Sequence, residues 1–409
     1  MISKRAAFVI AMAVALFAAF FSSVITYTVY EYNFINNGNI TGDEFAELKD
    51  FYKKFKEVKK LIETNYLKEP NEEDLLNGAL KGMVAALGDP YSYYMTAEEY
   101  EEMLIGIEGT YAGVGLSVSV NPNDNQITVI NAFKGSPAAE KGILPGDKII
   151  GVEGEPVDGS MLDEAVDKMR GEPGTEVTVT INRNGEILEF TIVRAIVNYP
   201  DLEYRMLDDE IGYIWLYRFD LKSAENMKDA IADLDSKGMK GLVLDLRSNP
   251  GGVLSACLEI TDIFVPEGLI MYTEDRQGNR YEYPSRSDTL GIPMVVLVNE
   301  YSASAAEVFS GAIQDHGVGT IIGKTTFGKG LVQNLHPFKE GDVLRLTTSE
   351  YFTPKGRKIN EKGVVPDIEV DELEAAYEYM RENLGKELPL ELDAPLFSGI
   401  EELKRLINE

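Results

Sequence analysis

A chain of 409 residues with 44% hydrophobic and 26% charged side chains has material for two or three packed domains. Its formal net charge of −29 argues against a basic face for nucleic acid. Cys257 is the single cysteine, so no intramolecular disulfide forms; His316 and His336 are the only histidines a Ser-His site could use.

Residues 6–30 are uncharged and mostly apolar, longer than the ~20 residues that span a bilayer, and they follow Lys4-Arg5. The basic pair should stay cytoplasmic and put everything after Glu31 outside. No clean small-x-small site follows the apolar run, so residues 1–30 are expected to be a cytoplasmic stub and an uncleaved signal anchor. The expected localisation is the cell membrane, single-pass, with the remainder extracytoplasmic. Residues 31–105 read as a helical region. Thr41 to Glu44 has the form of a capping box, and Phe45, Leu48, Phe51, Tyr52, Phe55, Val58, Leu61 and Ile62 follow at helical spacing. A second helix through Leu75, Leu76, Leu80, Val84 and Leu87 stops at Gly88-Asp89-Pro90. Such stripes serve either packing or a helical arm that forms a homodimer.

From about Gly106 to Val197 the pattern changes to short β runs separated by Gly, Asn and Pro turns, with a helix at Met161–Arg170 and a hairpin signal at Asn184-Gly185. Gly-Val-Gly-Leu at 113–116, Ser-Pro-Ala at 136–138 and Gly-Ile-Leu-Pro-Gly-Asp-Lys-Ile at 142–149 make residues 106–197 resemble a PDZ domain. That resemblance implies an α+β module that adds a peptide beside a sheet edge and holds its terminal carboxylate on backbone N–H groups. Gly113, Val114 and Gly115 would supply the donors. Leu116, Val118, Leu162, Val166 and Met169 would form the pocket for an apolar last side chain.

Residues 198–370 read as an α/β core. Apolar strands at Ile-Gly-Tyr-Ile-Trp-Leu, Gly-Leu-Val-Leu-Asp-Leu-Arg, Ile-Pro-Met-Val-Val-Leu-Val-Asn and Gly-Thr-Ile-Ile-Gly-Lys alternate with helices, which points to a mainly parallel sheet. Function in such sheets collects where strands end and helices begin. Residues 371–409 read as a charged helical tail, at the surface or an interface.

Two Gly/Ser-rich turns follow these strands. Ser304 opens a helix, Lys329 sits on a Gly-flanked segment and Gln333 follows it, the parts of a Ser/Lys hydrolase. A lysine serves as base only when neutral, which needs burial. Gln333 could orient it without adding a charge. The Gly251-Gly252 turn and the N–H of Ser304 or Ala305 could bind an oxyanion. From the residues alone other readings stay open. Ser304 with Glu307 is also a capping box. Ser302 is a rival nucleophile, and a Ser/His pairing with His316 or His336 remains. Gly323 to Lys329 is nearly a phosphate loop, but Gly330 stands where Ser or Thr is required. Cys257, in an apolar helical stretch, reads as a small buried hydrophobe. No HExxH or Cys/His cluster is present, so neither metal nor cofactor is expected.

Leu-Asp-Leu-Arg-Ser-Asn-Pro-Gly-Gly, Ser-Ala-Ser-Ala-Ala-Glu, Thr-Thr-Phe-Gly-Lys-Gly-Leu-Val-Gln and Tyr-Phe-Thr-Pro-Lys-Gly-Arg-Lys-Ile follow the PDZ-like block in this order. With Gly-Asp-Pro-Tyr-Ser at 88–92 and Gly-Val-Val-Pro-Asp at 363–367, they resemble the carboxyl-terminal processing (tail-specific) serine proteases over roughly residues 55–370. The resemblance implies a multidomain α/β chain whose protease core has the crotonase/ClpP-like fold. It places the nucleophile on Ser304, the general base on Lys329, its supporting glutamine on Gln333, and the oxyanion hole on Gly251, Gly252 and Ala305. Ala306 stands where many members carry a serine, at a position with no catalytic part. It further implies endoproteolysis of proteins recognised by flexible apolar C-termini. A catalytically idle PDZ scaffold and a crotonase-like thioester enzyme are the competing classes.

Overall fold

The computed structural model describes residues 42–208, 210–286, 289–383 and 386–409. The expected signal anchor at 6–30 and the expected cap Thr41 lie outside them. Among the described residues no helix is long and apolar enough to cross a membrane.

The chain divides into two compact units, residues 1–83 and 84–409. In the first, α1 (Gly42–Asn65) leads to the start of α2 (Glu72–Ala85), and Lys59 joins them by ion pairs to Glu63 and Glu72. Leu48, Phe51, Tyr52, Val58 and Leu61 are exposed, so packing among the described residues does not account for this stripe.

The second unit begins with Asp89–Ser92, then β1 (Tyr93–Met95) and α3 (Ala97–Glu108). Helix α3 lies at the end of the region expected to be helical and moves the start of the β-type pattern from 106 to 110. Its capping box is complete: Thr96 Oγ1 accepts from Glu99 N–H, and Glu99 accepts from Thr96 N–H.

The next block comprises β2 (Thr110–Gly113), β3 (Leu116–Asn121), β4 (Gln126–Ala132), α4 (Pro137–Glu140), β5 (Lys148–Val152), β6 (Glu155–Pro156), α5 (Leu162–Met169), β7 (Glu176–Arg183), β8 (Glu186–Val193) and β9 (Ala195–Asn198). Its sheet runs β3-β4-β5-β7-β8, and β2 pairs separately with β9. Asn184 and Gly185 both take positive φ at the β7–β8 turn, as the Asn-Gly signal requires. Ile127, Val129, Ile149, Val179 and Ile181 fill its core.

The remaining elements are β10 (Leu202–Met206), β11 (Ile211–Leu216), α6 (Ser223–Ser236), β12 (Gly241–Asp245), α7 (Leu254–Phe264), β13 (Gly268–Asp275), β14 (Arg280–Ser285), β15 (Met294–Val298), α8 (Ala305–His316), β16 (Thr320–Gly323), β17 (Leu331–Pro337), β18 (Val343–Phe352), β19 (Ile368–Glu369), α9 (Glu374–Glu382) and α10 (Ala394–Asn408). The sheet β10-β11-β12-β15-β16-β19 is parallel from β11 onward. Every residue of β12 and β15 is buried, because both faces are covered. Leu242, Leu244 and Val296 face the side packed by Met227, Ile260 and Phe309 from α6, α7 and α8. Val243, Val295 and Leu297 face Leu396, Ile400 and Leu403 of α10. The C-terminal segment, expected as a surface tail, thus closes the second face of the core. Each such fully buried side chain contributes about 1.5–3 kcal/mol.

An antiparallel sheet not foreseen in the sequence, β1-β18-β13-β14 with β17 also on β18, stands beside the parallel one. It carries Gln333 on β17 and brings the segment before β1 next to the loop that bears Lys329.

Candidate active site

The carboxyl ends of β11, β12, β15 and β16 meet at one edge of the parallel sheet, where loops rather than helices reach across. Ser304 follows β15 there, with φ 56° and ψ −114°, a backbone region that costs a non-glycine residue about 1–3 kcal/mol. The surroundings hold it in place. Ala303 N–H donates to Asn249 C=O at 2.9 Å, and Ser304 N–H donates to the Glu307 carboxylate at 2.8 Å. Asn249 is itself fully buried and donates from Nδ2 to Leu216 C=O at 2.7 Å, which ties the turn after β12 to the end of β11.

Gly251 lies directly against the serine. A Cβ on it would meet Ser304 Cβ and Ala303 O at 2.8 Å and Ala305 N at 2.9 Å, and its φ is 97°. Only glycine admits this approach. Its N–H, expected as an oxyanion donor, is taken by Asn249 Oδ1 at 2.8 Å. Among the described residues the N–H groups of Gly252 and Ala305 have no hydrogen-bond acceptor, and Ala305 opens α8, whose dipole favours an anion at that point.

Glu307 joins the Ser304 turn to the lysine loop. Its fully buried carboxylate accepts from Thr326 Oγ1 and Gly328 N–H at 2.6 Å, and from Lys329 N–H and Ser304 N–H at 2.8 Å. Burial pushes this carboxyl above the ordinary range, and the four donors pull it back. The near-phosphate-loop pattern therefore has a physical explanation: the anion its N–H groups cradle is Glu307. Sequence reading had this residue only as half of a capping box.

Lys329 is half-buried. Burial lowers its pKa below the ordinary lysine value, Arg345 adds to the depression, and Asp89 and Glu307 oppose it. Its Nζ lies 4.4 Å from the centroid of the Tyr91 ring. Among the described residues no hydrogen bond joins Nζ to Ser304 Oγ. Gln333, expected beside the lysine, has its amide committed elsewhere. Oε1 accepts from Arg345 at 3.1 Å, and Nε2 donates to Leu331 C=O at 3.2 Å and Thr347 Oγ1 at 3.3 Å. A β-bulge lies at Val332/Gln333, where the register against β18 shifts. The fully enclosed Tyr351 hydroxyl donates to Lys329 C=O and lies beside the Ser304 hydroxyl.

Asp89, Tyr91 and Ser92 complete this side. Burial would raise the Asp89 pKa, but hydrogen bonds from Ser92 and Thr347, the Tyr91 N–H and the charge on Lys329 hold it below the usual carboxylate value. Their sequence signal was Gly-Asp-Pro-Tyr-Ser, read as a motif without a role. The rival groups fall away on geometry. Ser302 is fully buried, donating to Leu246 C=O at 2.8 Å and accepting from Asn299 N–H at 2.9 Å. His316 ends α8, about 18 Å from its start, and its Nε2 bonds Leu269 C=O at 2.8 Å. His336 is exposed on β17, opposite Leu344. The buried Cys257 thiol is pushed up to about 12 and contacts Ala305 C=O, an inert filler.

In the PDZ-like block, β3 pairs only with β4 and leaves its other edge open. Gly115 has φ 86° and lies so near Ser136 that any Cβ would collide at 2.2 Å. Ala138 N–H donates to Val114 C=O, which braces the loop from behind. Leu116, Val118, Leu162 and Val166 are half-buried along the edge and α5, whereas Val114 and Met169 are buried in the core. The Gly113, Val114 and Gly115 backbone adjoins Tyr111, whose ring sits against Gly113 and whose hydroxyl faces the Gly115 and Leu116 N–H groups.

Three families of known proteins match parts of this chain. The profile of peptidase family S41 matches residues 210–370, that of the PDZ domain matches 114–193, and that of the activating protease CtpB N-terminal domain matches 22–99. A carboxy-terminal-processing protease of Bartonella bacilliformis is 39% identical over 346 residues, 82% of this chain and 77% of the relative. A CtpA-like serine protease of Staphylococcus aureus (strain MRSA252) is 35% identical over 348 residues, 84% and 69% of the two chains. A crystal structure from Bacteroides fragilis NCTC 9343, assigned to the S41 proteases, shares the fold with a TM-score of 0.55 at 16% identity, over 83% of this chain and 91% of that one. The chain belongs to the carboxy-terminal-processing serine proteases of peptidase family S41 and carries a PDZ domain.

Proposed function

We propose that the protein is a membrane-anchored, extracytoplasmic endopeptidase with a Ser304/Lys329 dyad, which selects proteins by their flexible apolar C-termini through the PDZ domain. The observation that carries the dyad is the shared buried carboxylate of Glu307. It fixes a strained serine turn and the backbone of a half-buried, pKa-depressed lysine in one network. The Lys329 side chain must leave the Tyr91 face to reach Ser304 Oγ. Neutral Lys329 then takes the Ser304 proton as Oγ bonds to the scissile carbonyl carbon. The Gly252 and Ala305 N–H groups receive the oxyanion. Collapse breaks the C–N bond, and the lysine ammonium gives its proton to the leaving amine. Water, deprotonated by Lys329, releases the acyl group and restores the serine. Gln333 serves this reading by holding its neighbours rather than the lysine.

Residues 6–30 supply the anchor, and the exposed stripe of α1 suits a homodimer through helical arms. The PDZ domain gates the site on substrate binding; deleting residues 108–196 without changing cleavage of a protein substrate would refute the gate. The dyad is tested with the full-length protein and unfolded casein, fragments being read by mass spectrometry. Wild type and His316→Ala should cleave; Ser304→Ala and Lys329→Ala should not. Cleavage surviving Ser304→Ala would sink the mechanism.

A further inference from the structure

Two side chains that the mechanism does not use converge on the lysine loop. Every main-chain N–H and C=O of Gly328, Lys329 and Gly330 is hydrogen-bonded to a residue outside this segment. Glu307 takes the N–H groups of Gly328 and Lys329 at 2.6 and 2.8 Å. Glu361 N–H donates to Gly328 C=O at 2.8 Å, from a φ of 63° that few non-glycine residues adopt. Gly330 N–H donates to Asn360 Oδ1 at 3.2 Å, and Gly330 C=O accepts from Tyr351 N–H at 3.0 Å. The sixth group, Lys329 C=O, accepts from the Tyr351 hydroxyl. The closeness of this brace also accounts for Gly330, the residue that breaks the phosphate-loop pattern: a Cβ there would meet Asn360 N at 2.3 Å.

Tyr351 is the member of the brace that reaches both halves of the site. It is 3% exposed, and its ring lies in the apolar cluster that includes Phe309 and Ile359. Its single proton goes to Lys329 C=O, which leaves the oxygen lone pairs for the Ser304 hydroxyl beside it. Burial holds this phenol well above its ordinary pKa, so it stays neutral at every working pH. Resting on the reading of Ser304 as nucleophile and Lys329 as base, we propose that Tyr351 and Asn360 are positioning residues for hydrolysis. They fix the Lys329 main chain as the pivot from which its amine swings off the Tyr91 ring to Ser304 Oγ. A lysine side chain is a flexible four-carbon stem, so its amine arrives accurately only when the backbone beneath it stays still. Tyr351 contributes geometry alone, since it adds no charge and is enclosed away from any substrate.

The test is Tyr351→Phe in the full-length protein, which removes one hydroxyl and keeps the ring. On a quenched peptide kcat should fall by about 10- to 100-fold, as a displacement of about 1 Å at a reacting group does. KM should stay within about twofold, because an interaction with the peptide itself has not been lost. The acid limb of kcat/KM, which reports the base in the free enzyme, should stay in place, because the lost group is neutral. Labelling of Ser304 by a fluorophosphonate should slow by the same factor as kcat. Asn360→Ala removes the acceptor of one neutral hydrogen bond and should lower kcat by about 3- to 10-fold. It carries the test should Tyr351→Phe fail to fold by circular dichroism. A merely structural role would lower the melting temperature and leave kcat and labelling at wild-type values well below it; that result overturns the proposal. So does a displaced acid limb, which would make Tyr351 part of the acid–base chemistry. Ser304→Ala and Lys329→Ala separate the proposal from the reading beneath it: peptide hydrolysis persisting in either refutes the dyad, whatever Tyr351 does.

Discussion

The two halves of the active site are held by different kinds of force. Around Ser304 the backbone is locked by Asn249, Gly251 and Glu307, each buried and each in direct contact with the turn. Around Lys329 only the backbone is locked; the side chain rests on an aromatic face, and burial first, with nearby charges after it, lowers its pKa. A nucleophile must be placed to fractions of an ångström, and directional hydrogen bonds do that. A base must have the right proton affinity and must move between serine, leaving group and water, which a soft aromatic contact permits. The difference implies that substitutions on the serine side should act on folding and kcat, and those on the lysine side on pH dependence.

The largest effect is expected at Glu307. Glu307→Ala leaves the N–H groups of Ser304, Gly328 and Lys329 buried without an acceptor, and the loss should reach about 3–5 kcal/mol. Thermal melting should fall by roughly 10 °C, and peptide hydrolysis should be abolished. A variant that melts like wild type would show that the two halves are not joined through this carboxylate. Next in size is Gly251→Ala. Its methyl group would meet Ser304 Cβ at 2.8 Å, and its φ of 97° is strained for any other residue. Displacing the nucleophile and the Ala305 donor together should lower kcat by about 100-fold or more, as losing one oxyanion donor does. KM should change little, since the PDZ edge is untouched. A KM effect with kcat intact would place Gly251 in substrate binding instead.

What the sequence made legible follows the same division. The parallel strands are continuous apolar runs such as Met294–Val298, which announce burial on both faces. Ser304 could be placed because the turn follows such a strand and opens a helix. Lys329 and the glycines came from their local spacing and from family resemblance. The antiparallel sheet was not legible. Its strands mix polar and apolar residues, and Tyr93 finds its partner Arg345 only in the folded chain. The bulge at Val332/Gln333 has no signature in one sequence. Helix α10 has the amphipathic pattern of a surface helix, and nothing local says that its apolar stripe covers β12 and β15. Glu307 is the clearest case. A capping box explains a glutamate three residues after a serine, and this explanation hid the bonds to Thr326, Gly328 and Lys329.

The smallest effect expected is the one that divides the two sides most sharply. Tyr91 lies against Lys329 Nζ, and an aromatic face attracts a cation but not a neutral amine. Tyr91→Leu keeps apolar cover over the lysine while removing that attraction, which is worth about 0.5–1 kcal/mol at a partly exposed site. With the charged form less favoured, the lysine pKa falls further below its ordinary value. The acid limb of kcat/KM should therefore move to lower pH. The same variant leaves every hydrogen bond of the Ser304 turn in place, so melting should change by less than the Glu307 variant by a wide margin. A limb moving upward in Tyr91→Leu would mean that the ring acts on Lys329 through burial alone. The base would then be tuned by packing, as the nucleophile is placed by it, and the contrast between the two halves would disappear.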